Sequence, residues 1–160
     1  MREPNAMQIL LALIDEAFDH SAWHGPTLRG ALRGVTAQGA EWRPGRGRHS
    51  IRELTVHAAY WKYAVRRRLL GAKRGSFPLK GSNWFERPTS PSKAAWAADV
   101  ALLDETHRAL RAAIAKLTPA DLQVTPAGSR FNNYEIIAGI AAHDVYHAGQ
   151  IQLLKRLAAR

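Results

Sequence analysis

Apolar residues recur at intervals of three and four along most of the chain, the spacing that lines one face of an α-helix. Residues 4 to 19 read as a first helix, with Pro4 in its first turn and Ile9, Leu10, Leu13, Ile14 and Ala17 as its apolar face. Gly25 and Pro26 interrupt that pattern, and Leu28, Leu32 and Val35 carry a resumed helix from about Pro26 to Val35. Residues 39 to 48, rich in Gly, Pro and Arg, read as a polar turn region, with Trp42 folding back over the bundle end. Ser50 and Glu53 form a capping-box pattern that opens a second long helix, with Leu54, His57, Ala58, Trp61, Val65 and Leu69 inward and Gly71 as its stop. Residues 72 to 90 make a basic connection containing Phe77, Trp84 and Phe85 that is longer than a helical hairpin needs. A third helix is expected from about Pro91 to Lys116, with Trp96, Val100, Leu103, His107, Leu110 and Ile114 on one face. Asn132 and Glu135 repeat the capping box and open the last helix, whose inward positions are Ile136, Ile140, His143, His147, Ile151 and Leu154. The pattern predicts an all-α helical bundle with four long arms.

At 160 residues the chain suits one domain over residues 1–160 with a substantial apolar core. Its 46% hydrophobic content, distributed through Ala- and Leu-rich segments, excludes a disordered chain. The run MQILLALI stops at Asp15 and Glu16, well short of the roughly 18 apolar residues of a membrane span. The first residues show no signal-peptide pattern, so a cytoplasmic location is the expectation. With no cysteine, disulfides, thiolate ligands and a Cys/His nucleophile are excluded. The net charge of +10 steers polyanions. However, the basic residues are scattered and follow no recognition motif, so nucleic acid is not the expected partner. Glycine fingerprints for nucleotide phosphates are likewise missing.

His143 and His147 are four residues apart, which places them one above the other on a helix at a rise of about 6 Å. Neutral imidazoles on one face suit a divalent ion, and His57, inside the apolar stripe of the second helix, is the best third donor. His49 lies before that helix's cap. A histidine pair of this spacing also arises in cores where hydrogen bonds satisfy it, and His107 reads better as such a core residue. Asp144 is placed either to cap a hydrogen-bond network or to support a ligand from behind. His20 and His24 share the four-residue spacing, but Gly25 and Pro26 disrupt their helix, leaving His20 toward solvent. Trp61 and Tyr146 are candidate pocket walls, and Trp84 and Phe85 candidate covers. Three protein ligands leave a position for water or substrate, which makes an enzyme possible without naming its catalytic residues.

The segments GRHSIRELTVHAAYWKYAV, carrying His57, and GIAAHDVYHAGQIQLL, carrying His143 and His147, resemble the DinB-like (DinB/YfiT) superfamily of metal-dependent proteins. The likeness runs through nearly the whole chain. SAWHGPTLRGAL and GSFPLKGSNWF resemble a subgroup and bring His24 closer to the expected pocket, without making it a ligand. The resemblance implies a four-helix bundle of up-down-down-up topology, with the long connection crossing between helices two and three. It also implies nickel or zinc on His57, His143 and His147, and a homodimer. The implied activity is hydrolysis of a small molecule or transfer of a low-molecular-weight thiol. A noncatalytic metal-binding or stress-associated interaction protein is the competing expectation.

Overall fold

In the computed structural model, residues 5–85, 87 and 92–159 are described, and these form an all-α structure. Helix α1 spans Ala6–Phe18 and is opened by Asn5, whose side chain accepts from the Gln8 amide while the Gln8 side chain accepts from the Asn5 N–H. That reciprocal cap fixes the start, and Pro4 lies outside the described residues. Leu10, Ile14, Ala17 and Phe18 are buried, but Ile9 and Leu13, expected on the same face, are exposed. The apolar stripe of α1 is wider than the surface it covers.

The expected helix from Pro26 to Val35 is shorter, with α2 covering only Leu28–Ala31. Thr27 takes the cap position and accepts from the Gly30 amide, so Pro26 stays outside. The chain then turns at Gly34, whose φ of 75° is open to glycine at little steric cost. A further short helix, α3 at Ala37–Glu41, occupies the start of the segment expected to be a turn, because Thr36 caps it at the Gly39 amide.

Helix α4 spans Ile51–Leu69 with the Ser50/Glu53 capping box in place, and Gly71 beyond its end has φ 61°. Helix α5 covers Lys93–Ile114, capped by Ser92 at the Ala95 amide. Its expected start at Pro91 lies outside the described residues, and it ends two residues before Lys116. A 3₁₀ turn at Asp121–Gln123 leads to α6, Asn133–Ala158, opened by the Asn132/Glu135 capping box.

Helix α4 packs on both α5 and α6, while α1 and α2 close against α6. One apolar cluster gathers Leu10, Ile14, Leu110, Ile114, Ile137 and Ile140, and another gathers Phe18, Leu28, Leu54, Leu103, Ala148 and Ile151. Ion pairs tie the helices together. Arg111 bonds Asp15 at 2.5 and 2.7 Å, and the buried Arg52 bonds Asp99 at 2.6 Å. Lys62 of α4 and Asp144 of α6, both 0% exposed, pair with each other inside the core. No helix among the described residues is long and apolar enough to cross a membrane.

Candidate metal centre

The inward stripes of α4 and α6 meet at three imidazoles. His57 and His147 are buried and His143 is half-buried, and one ring nitrogen from each lies within 4.8 Å of the others. His143 Nε2 is 3.2 Å from His57 Nε2 and 3.0 Å from His147 Nε2. Nitrogens bound tetrahedrally at roughly 2.0 to 2.1 Å from one zinc ion would stand about 3.3 Å apart. The observed separations are within a few tenths of an ångström of that.

The outer nitrogens fix which lone pairs face inward. His57 Nδ1 is 2.9 Å from the Asn83 carbonyl oxygen, which can only accept, so Nδ1 carries the proton and Nε2 presents a lone pair. His147 Nδ1 donates to Gln150 Oε1 at 2.6 Å, and the Gln150 amide is oriented by its Nε2 donating to the Tyr146 hydroxyl at 3.0 Å. His143 Nδ1 is buried without a partner. If His143 carries its proton on Nε2, it serves one neighbour and leaves the other lone pair opposed. If it carries the proton on Nδ1, all three lone pairs face one another. Protons alone therefore do not satisfy the trio, whereas a cation among the three Nε2 atoms does, and the all-nitrogen donor set fits zinc or nickel.

Electrostatics favours the same state. Burial, reinforced by His147 and His57, holds His143 down at about 3. Burial also holds His147 down at about 4, against the Gln150 hydrogen bond that raises it. His57 is lowered by burial, against the Asn83 carbonyl. All three are neutral near pH 7, the form that donates to a metal.

A cavity of about 600 Å³ adjoins the trio and is lined also by Arg48, His49, Leu54, Tyr146, Gln150 and Leu153. Trp84 is sandwiched between His57, at 3.9 Å between ring centroids, and His49, at 3.5 Å. The expected cover is thus Trp84. Phe85 is instead buried against Tyr60 and Phe77. Trp61 borders the imidazoles edge-on and donates its indole N–H to Asn83 Oδ1 at 2.9 Å.

Other expectations shift. His24 is exposed and does not line this cavity, so the position the resemblance gave it is not observed. His20 is exposed beside Asp19, as anticipated. His107 is a core residue stacked on Phe18 at 3.6 Å. Of the two roles open to Asp144, the hydrogen-bonded one is observed, since it pairs with Lys62 rather than backing a ligand. Asn83 and Gln150 were not found from the sequence, although Gln150 follows His147 by three residues, a same-face spacing that was available. His49, which precedes the cap of α4, reaches the site through the stack on Trp84, with its Nδ1 3.4 Å from Glu53 Oε2.

An all-α protein with three converging imidazoles beside an open cavity belongs to the class of helical proteins that could bind a divalent ion. A family model, the DinB superfamily, matches residues 22–151, and the chain belongs to that superfamily. No curated protein and no solved structure gives a significant match.

Proposed function

We propose that the protein is a metal-dependent enzyme acting on a small molecule, with His57, His143 and His147 holding nickel or zinc, by hydrolysis or by thiol transfer. The observation that carries the reading is the convergence of three Nε2 atoms, those of His57 and His147 turned inward by the partners of their Nδ1, beside a cavity of about 600 Å³. A divalent ion held there would act as a Lewis acid, polarising a substrate oxygen or making an incoming water or thiol more acidic. The chain's own contribution is positional. Asn83 and Gln150 fix the ring orientations, and Trp84 shields the His57 face from water. Arg48 gives the cavity a positive charge, and the leucines hold an apolar portion of the substrate. Because the chain has no cysteine, a reacting thiol would come from a small-molecule cosubstrate.

In this reading residues 1–160 form one DinB-like domain, a four-helix bundle of up-down-down-up order built from α1, α4, α5 and α6. It works as a cytoplasmic homodimer. The test is turnover of ester, amide and electrophile panels, with and without low-molecular-weight thiols, before and after chelation and zinc or nickel reconstitution. Turnover lost on chelation, restored by metal and absent in His57→Ala supports an enzyme. Stoichiometric metal binding with no turnover across the panels would move the protein to a noncatalytic metal-binding role.

A further inference from the structure

A second cleft lies between the C-terminal half of α4 and the connection that follows it. Its volume is about 580 Å³, within the range of roughly 300 to 1,000 Å³ typical of small-molecule sites. Its charge is one-sided, with Arg67 and Arg68 from α4 meeting Arg74 and Lys80 from the connection, and no acidic side chain among the described residues lining it. Arg67 is partly committed to the Ala72 carbonyl at 3.1 Å. Among the described residues, the side chains of Arg68, Arg74 and Lys80 make no hydrogen bond or ion pair.

Basic residues in the last turn of a helix complement its dipole, which accounts for the arginines of α4. That explanation does not reach Arg74 or Lys80, which arrive from the connection and close the cleft from the opposite side. The walls are aromatic. Tyr60, Trp61, Tyr63 and Phe77 line the same space. Tyr63 and Phe77 lie 5.3 Å apart between centroids, as do Tyr60 and Phe77. The Tyr63 hydroxyl is held by the Ser76 N–H at 3.2 Å and the Ser76 hydroxyl at 3.3 Å.

Guanidinium and ammonium groups recognise phosphate and carboxylate oxygens, while aromatic walls accept a flat ring. We propose that this cleft binds a small anion carrying a planar ring, an aryl phosphate or aryl carboxylate, independently of the three-histidine site.

Calorimetric titration of the metal-free full chain separates the contributions, using phenyl phosphate, inorganic phosphate and phenol as probes. Removing metal excludes phosphate ligation at the imidazoles. Phenyl phosphate should saturate at one equivalent and bind at least about tenfold more tightly than either fragment, a difference of about 1.4 kcal/mol. The double variant Arg74→Gln/Lys80→Gln alters two exposed side chains and should weaken phenyl phosphate by about tenfold or more. Arg33→Gln/Arg156→Gln, with the same change in charge outside the cleft, should leave it nearly unchanged. Lack of saturation, equal affinity for inorganic phosphate, equal losses in the two double variants, or a loss confined to Arg48→Gln would each overturn the proposal.

Discussion

Nδ1 is committed to an oxygen in His57 and His147, while Nε2 of all three histidines faces the centre, and that arrangement sets the residue-scale expectations. Alanine at His57, His143 or His147 removes a donor, so each variant should retain less zinc after dialysis than His49→Ala, whose ring stacks on Trp84. Gln150→Leu leaves all three donors but frees His147 Nδ1, and metal affinity should fall about 10- to 100-fold by competition titration. Acid should act through the same rings and through His107, which burial and the Lys62 charge hold down at about 3. His107, His143 and His147 all bind protons less readily in the fold than in the unfolded chain, whose histidines titrate near 6.5. Between pH 6.5 and about 4 the unfolded chain therefore binds more protons, and stability falls as pH falls through that window. Denaturant unfolding of the metal-free protein at pH 7.5 and pH 5 measures this, and unchanged midpoints would contradict the neutral buried rings.

Helix caps and the core ion pair set the expectations for elements. Ser50 and Glu53 hold the start of α4 six residues before His57, and Ser50→Ala should lower stability by about 1 kcal/mol in chemical denaturation. Lys62 and Asp144 join α4 to α6 without contact with water. Removing one partner strands a buried charge, so Lys62→Met should destabilise by about 3 to 5 kcal/mol. Lys62→Met/Asp144→Leu should recover most of that, since replacing both charges with apolar groups is often neutral. Equal losses in the single and double variants would show that the pair contributes little beyond shape. Because Asp144 sits beside His143, metal retention in the double variant also reports whether the pair sets the register of the two ligand-bearing helices.

For the whole molecule, the proposed homodimer predicts a sedimentation coefficient for two chains at micromolar concentration, and a monomer throughout would reject it. The net charge of +10 should produce weak polyanion binding that fades steeply with salt and is alike for unrelated nucleic acids. A salt-resistant preference for one sequence would overturn the reading of that charge as general surface electrostatics.

Periodicity was enough to find α5, and periodicity with the Ser50 and Asn132 capping boxes to find α4 and α6, because apolar stripes and caps are local properties of the chain. The i, i+4 pair His143 and His147 and the inward position of His57 were legible for the same reason, and the DinB superfamily match agrees with the motifs that carry them. Shorter pieces were misjudged: α2, capped at Thr27 and followed by the turn at Gly34, is only four residues long, and α3 formed where a turn was expected. Tertiary structure alone decided what surrounds the histidines. The connection brings the Asn83 carbonyl to His57 across 26 positions and lays Trp84 over its ring. Packing of α4 on α6 turns Asp144 to Lys62, 82 positions away, instead of toward a ligand. A side chain's spacing on its own helix is written in the sequence, but its partner across the fold depends on how the helices pack, and that is a property of the whole chain.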